Sequence, residues 1–373
     1  MLAKKMTYSI FIQIICICFL LGSVWGAEGW PDYDTSTEEL LKLILAQDYN
    51  VRRDAVNFLA RRDDPEAAPK LIRMVRQTKD YRARLFAAEV LMKMPSRPVA
   101  PELLEAFAES EEKAPCHLIA HILGRSGDRR VIPELAKYLD HPNWRKRCQA
   151  AWALGLLKDR QGLRTLIQVY RITGNKLEHT TGQLARRELI EGRSCAVRLM
   201  GEVGDKRVFS VLKEAIRDDY LDEIAARAFG ELGDKRAVPI LIEAQKNKTI
   251  DMNWIGYGLV LLEEETGWDL LVKQLEDTSW VHRRHTIEFM ESLKDKRAIP
   301  HLISVLKNDN HANVRAFAAR ALGTLGDASA LAALTEALAD EEQTEWGPLE
   351  VVRDSAAYAI HKIERERRRM KEV

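Results

Sequence analysis

The chain has 373 residues, with 57 Lys and Arg set against 56 Asp and Glu, a formal net charge of +1 and 30% charged residues. A surface so heavily charged yet so evenly balanced is mixed-sign and well solvated, which excludes nucleic-acid binding by bulk charge. Two of the five cysteines lie in an N-terminal apolar run. The other three, Cys116, Cys148 and Cys195, are too few and scattered for a disulfide framework and read as packing residues.

Residues 1–26 have the layout of a secretory signal peptide. Lys4 and Lys5 precede an apolar run from Ile10 to Leu21, and Val24 and Gly26 then stand three and one before Ala27. Cleavage is expected between Gly26 and Ala27. The apolar run is short for a membrane span, and retention as an N-terminal anchor is the alternative. Neither Cys16 nor Cys18 follows a small-residue lipobox, so no lipoprotein is expected. The mature chain is expected to be exported to the periplasm or outside the cell, monomeric and without a membrane span. Residues 27–35 read as a short linker.

From residue 36 to 366 one pattern recurs: a helix rich in small apolar residues, ending in Leu-Gly-x-x-Gly-Asp, then a turn into Val-Pro-x-Leu. It is clearest over Ala151–Asp159, Ala226–Asp234 and Ala319–Asp327. Offsets are counted from the glycine column: Gly124, Gly155, Gly201, Gly230 and Gly323, with Ala60, Met92, Glu291 and His361 as substitutes. Offsets −1, −4, −5 and −8 share one helix face. Position −1 is large (Leu59, Leu91, Leu123, Leu154, Met200, Phe229, Met290, Leu322, Ile360), and −4 and −5 are mostly Ala or another apolar residue. A further helix near Ile255–Glu264 fits loosely, because Gly256 and Gly258 blur its alignment. Pro69, Pro101, Pro133, Pro239 and Pro300 mark the first turn of the other helix of each pair. Asn50, Asn143, Ser279 and Asn313 are N-cap candidates for the second helices. A period of about 31 residues holding two helices predicts an all-α solenoid of about ten pairs, each burying its apolar face only against its neighbours. Residues 367–373 form a basic C-terminal tail.

Two places break the period. Between Gly155 and Gly201 the spacing grows to 46 residues, inserting a segment around Ile172–Gly192, and Asp340–Leu349 adds an acidic loop with Trp346. Insertions in repeat arrays fall in loops, often on the binding face.

The sequence resembles the HEAT-repeat family, especially the short type of phycobilisome-lyase-like proteins. The marks are Asp309 followed by Val314-Arg315, Ala-Ala in mid-helix, and Leu-Gly-x-x-Gly-Asp at its end, over roughly residues 36–366. The resemblance implies second helices lining a concave groove. It does not imply one activity, since such arrays serve as scaffolds, adaptors and enzymes. HEAT-like deoxyhypusine hydroxylases build a di-iron site from His-Glu dipeptides, and none of the nine histidines here precedes a glutamate.

Two columns stand out. At offset −8 are Arg52, Arg84, Arg147, Arg193, Arg283, Arg315 and Arg353. At +4 are Asp64, Asp128, Asp159, Asp205, Asp234, Asp295 and Asp327. Arginine at a helix N-terminus opposes the dipole and needs a fixed partner. The arginines are expected to form a structural ladder with these turn acids or with carbonyls; an anion-binding ridge is the alternative. Offset −3 is bulky, polar and varied (Asn57, Glu89, His121, Trp152, Arg198, Arg227, Glu288, Arg320, Tyr358), which suggests an accessible column. Within it Trp152, Arg198, Arg227, His121 and Arg320 are the candidate partner-binding residues, with Trp and Arg as interface anchors. His117/His121 and His282/His285 are spaced for one helix face, but no third metal ligand is evident, so no metal or other cofactor is expected. No phosphate loop, nucleophile elbow or His-Glu-x-x-His occurs. The sequence therefore predicts a non-enzymatic exported scaffold that binds a protein or peptide. A lyase-like or metal-dependent enzyme subunit is the rival.

Overall fold

The structure, a computed structural model, describes residues 35–46, 49–64, 66–94, 100–109, 115–246, 250–340, 342 and 352–372. The expected signal peptide, nearly all of the expected linker and the Trp346 loop lie outside these residues.

Twenty α-helices, and no strand, are found among the described residues. In chain order they are α1 Thr37–Leu43, α2 Tyr49–Arg62, α3 Ala67–Gln77, α4 Tyr81–Lys93, α5 Ala100–Glu109, α6 Pro115–Ser126, α7 Ile132–Ala136, α8 Trp144–Leu156, α9 Arg160–Glu178 and α10 Gln183–Val203. They continue as α11 Phe209–Ala215, α12 Asp222–Leu232, α13 Val238–Ala244, α14 Met252–Leu261, α15 Glu265–Gln274, α16 Trp280–Leu293, α17 Ala298–Asn308, α18 Ala312–Leu325, α19 Leu331–Glu336 and α20 Val352–Glu372. Odd-numbered helices open each pair and even-numbered helices close it, so the protein is an α-solenoid of ten pairs.

The chain divides into two compact units, Met1–Gly162 and Leu163–Val373. In the first, α2, α4, α6 and α8 pack in succession; in the second, α10, α12, α14, α16, α18 and α20 do the same. Ala150, Ala151, Ala225, Ala226, Ala318 and Ala319, at −5 and −4, are fully buried, as are the −1 residues Leu154, Phe229 and Leu322.

Glycine at zero does not end the helix. At four positions it makes a close approach between second helices, each glycine facing the −2 residue of the next. A Cβ on Gly124 would sit 3.0 Å from the Ala153 Cα, on Gly201 2.6 Å from the Ala228 Cα, on Gly230 2.8 Å from the Gly258 Cα and on Gly323 2.8 Å from the Ala359 Cα. The helix ends instead at +3, where the backbone turns left-handed: Gly127, Gly204, Gly233 and Gly326, and with side chains Asp63, Lys158, Glu263 and Lys294. Glu263 settles the alignment of α14, placing Val260 at zero, Gly256 at −4 and Gly258 at −2.

The five prolines all fall in the first turn of α3, α5, α7, α13 and α17. Asn143 caps α8, its Oδ1 accepting from the Arg145 N–H at 2.9 Å, and Ser279 stands at the N-cap of α16 without a side-chain bond. Asn50 and Asn313 are instead inside α2 and α18; His311 takes the cap position of α18. The expected insertion is helical: α9 and α10, of 19 and 21 residues, are lengthened into a hairpin arm.

Candidate functional site

The −8 arginines form a ladder with backbone carbonyls, one of the two expected partners, and with acids other than those of the +4 column. Each of four donates to the carbonyl six residues before it: Arg52 to Ala46, Arg147 to His141, Arg283 to Asp277 at 2.8 Å and Arg315 to Asp309 at 2.9 Å. Several also reach forward to an acid on the next repeat. Arg52 lies 3.6 Å from Asp80, and Arg193 donates to Asp218 at 2.5 Å. Arg283 takes Asp309 in a bidentate grip at 2.7 and 2.9 Å, and Arg315 takes Asp340 at 2.7 Å. Arg84 lies over the Tyr81 ring at 5.8 Å, and Arg353 contacts Asp354 at 3.2 Å. Asp80, Asp218, Asp309 and Asp340 stand between the two helices of a pair, so Arg52, Arg193, Arg283 and Arg315 each tie one interhelical turn to the next.

The +4 acids do other work, and the expected pairing of this column with the −8 arginines is corrected. Asp64, Asp128, Asp159, Asp205, Asp234, Asp295 and Asp327 each accept from the backbone N–H two residues on, at 2.8 to 3.1 Å. In four turns the residue supplying that N–H is an arginine that folds back onto the same carboxylate: Arg130, Arg207, Arg236 and Arg297, each with one contact of 2.6 to 2.7 Å. Its guanidinium lowers the Asp234 carboxyl to about 2, and Asp128 and Asp295 are lowered by the same cause. Local spacing explains the error: an i, i+2 partner costs less chain entropy to bring together than one in another repeat.

The −3 column divides. Trp152, expected to be accessible, is 3% exposed and lies against the His121 ring with centroids 4.6 Å apart. His121 also accepts from Arg125 at 3.3 Å. Tyr358 is 2% exposed. Flanking Ala and Gly residues leave space that a large ring fills, so polarity and size misread packing as exposure. Trp152 and His121 belong to the first unit, Arg198, Arg227 and Arg320 to the second.

In the second unit Arg198, Arg227, Glu288 and Arg320 of this column are half-exposed and charged. Arg198 pairs with Glu202 at 2.5 Å and Arg227 with Glu231 at 2.7 Å, each one turn along its own helix. Burial raises the Glu231 carboxyl against the pull of Arg227. Further along the same face lies an aromatic ridge absent from the sequence expectations. Phe289 of α16 meets Trp254 and Tyr257 of α14, both with ring centroids at 4.7 Å. On α18, Phe317 is covered by Arg284 at 5.3 Å and Arg320 at 4.2 Å. All four rings are half-buried. With Glu264 taken as the +4 acid, the alignment of α14 would have put Trp254 at −6 and Tyr257 at −3, the same offsets as Phe317 and Arg320. Blurring by Gly256 and Gly258 hid that signal.

Beside the lengthened α10 is a cleft of about 660 Å³, whose walls include Arg186, Arg187, Ile190, Glu191 and Arg198 of α10 and Ile224 of α12. Burial lowers the pKa of His285, and His282 lies 3.3 Å from Asp277. Among the described residues no group of three or more His, Cys, Asp and Glu is placed to hold a metal. No described helix is long and apolar enough to cross a membrane.

The family model described as HEAT repeats matches residues 37–115, 100–176 and 269–361, and that described as the PBS lyase HEAT-like repeat matches residues 223–247. No curated protein matches the chain. Among solved structures, human deoxyhypusine hydroxylase in complex with glycerol is 18% identical, with 80% of this chain and 96% of that one covered at a TM-score of 0.32. The CpcE–CpcF complex of phycocyanin lyase from Nostoc is 15% identical, over 91% and 98%, at 0.31. The karyopherin Kap121p bound to the C-terminus of the phosphatase Cdc14p is 13% identical, over 92% and 43%, at 0.33.

Proposed function

The chain belongs to the HEAT-repeat family, and from that premise we propose that it is an exported, monomeric, non-enzymatic scaffold whose second unit binds a polypeptide along its even-numbered helices. The observation that carries this reading is the ridge of Trp254, Tyr257, Phe289 and Phe317 flanked by Arg284 and Arg320. Aromatic and arginine side chains on neighbouring rigid helices are the groups that most often dominate interface energy. Rings already held by their neighbours lose little rotamer freedom on binding. Arg198 and Arg227 extend the same face, each tethered by its own glutamate. Trp152, being buried, takes no part.

A photo-crosslinking residue at Tyr257 tests the reading in the full chain in its host. A single recurrent polypeptide adduct is expected, with Trp254→Ala and Phe317→Ala each weakening its purified partner by about 2 kcal/mol. Unchanged affinity in both would overturn the reading, and a purified chain carrying a chromophore or a stoichiometric metal would favour the enzyme-subunit rival. The export component is tested by intact mass: a chain starting at Ala27 supports it, and one starting at Met1 refutes cleavage.

A further inference from the structure

The arm helix α10 has a face without counterpart in the other repeats. Its neighbour α12 begins at offset −8, at Asp222, whereas α10 begins ten residues earlier in its repeat, at Gln183. At 1.5 Å per residue the N-terminal part of α10 overhangs by about 15 Å. Gln183, Arg186, Arg187, Ile190, Ser194 and Arg198 follow the i, i+3, i+4, i+7 spacing and so share one helix face, and that face, with Ile224 opposite, walls the 660 Å³ cleft. The cleft falls in the size range of ligand-binding sites, about 300–1,000 Å³.

Its chemistry is one-sided. The walls hold three guanidinium groups and one carboxylate around the aliphatic side chains of Ile190 and Ile224. Over residues 171–198 there are six Arg and Lys against three Glu, a net charge of +3 in a chain whose total is +1. Arg187 is 79% exposed beside Glu191 at 3.3 Å, an i, i+4 pair weak enough for an incoming carboxylate to exchange with. Arg186 is positioned by its bonds to the carbonyls of Leu177 and Thr180 at 3.1 and 2.9 Å. Leu184, 77% exposed one turn before Glu188, adds apolar surface to the same arm.

We propose that this cleft seats an acidic, amphipathic polypeptide segment, its large aliphatic side chains against Ile190 and Ile224 and its carboxylates on Arg186 and Arg187. The proposal deepens the polypeptide-binding reading above by naming the charge and amphipathicity of the partner, and it rests on that reading. It is tested on the full chain with two fluorescent probes, a short peptide alternating glutamate with leucine and its lysine-for-glutamate counterpart.

The glutamate peptide is expected to bind at least about tenfold more tightly than the lysine peptide at low salt. That preference should weaken as salt rises. Arg187→Glu is expected to reduce binding of the glutamate peptide by about fivefold and to improve that of the lysine peptide, and Ile190→Ala to weaken both. Arg187 is too exposed for its replacement to unfold the chain, and circular dichroism checks this. Equal binding of the two peptides, or indifference to both substitutions, would overturn the proposal. The Tyr257 cross-link is read independently, so its success alongside such a result would leave the wider reading standing with a differently charged partner.

Discussion

At the turn from α12 to α13, Asp234 and Arg236 close on each other two residues apart, and the same clamp recurs at Asp128 and Arg130, Asp205 and Arg207, and Asp295 and Arg297. On the even-numbered helices of the second unit the same residue types are arranged differently at each repeat. Arg198 and Arg227 are tethered along their own helices, while Arg320 covers Phe317 and lies 3.9 Å from Glu291 of the preceding repeat. Chemistry that recurs from turn to turn serves folding, which makes the same demand on each repeat. Departures from it are where selection for a partner has room to act.

The comparison breaks or holds on measured stabilities. The largest effect is expected at Arg283, 8% exposed and held by Asp309 and two carbonyls. Arg283→Ala leaves Asp309 buried without its cation and should cost roughly 3 kcal/mol in denaturant unfolding. Arg227→Ala, on the face proposed for binding, should cost less, about 1 kcal/mol, its partner Glu231 being 17% exposed. Equal losses would erase the distinction between ladder and face. Next comes Gly201→Ala, whose new methyl would meet the Ala228 backbone at 2.6 Å; about 2 kcal/mol is expected, with shifted helix spacing visible in a crystal structure.

The turn clamp gives a smaller effect with a definite pH dependence. Since the folded Asp234 carboxyl is lowered to about 2 by Arg236, its stabilisation is complete above the ordinary carboxylate range. It is lost as pH falls from about 4 toward 2, because only the unfolded chain takes up the proton first. Asp234→Asn should cost about 1 kcal/mol at neutral pH, and the gap from the parent should narrow in acid. A gap that widens in acid would contradict the assignment. The smallest change is a gain: Lys294 holds a left-handed backbone where four other turns have glycine. Lys294→Gly should stabilise by about 0.5 kcal/mol, read as a raised Tm.

Much of this architecture was legible in the sequence because the period is enforced by steric contact. Small or apolar residues at −4 and −5, the large residue at −1 and, in five of the pairs, proline in the first turn each have one physical reason, and that reason recurs along the array. Partner choice among charges was harder to read. The −8 arginines and +4 aspartates share a period, so their spacing could not show that the arginines turn to carbonyls and to acids between helices while each aspartate serves its own turn. Trp152 illustrates a second limit: a large polar-edged residue among small ones fits either solvent or a pocket, and only the His121 ring settles which. The aromatic ridge was hidden for a third reason, since α14 carries Val260 at zero while Gly256 and Gly258 nearby offered a false glycine alignment.

That valine has a mechanical consequence. Between α12 and α14 the contact is backbone against backbone, Gly230 on Gly258, and no rotamer change can lengthen it. Between α14 and α16 the zero position carries a side chain whose dispersion contacts are individually weak. Tension applied along the second unit is therefore expected to extend the α14–α16 joint, beneath Trp254 and Phe289, before the glycine joints α10–α12, α12–α14 and α18–α20. The second unit yields first where its aromatic rings meet.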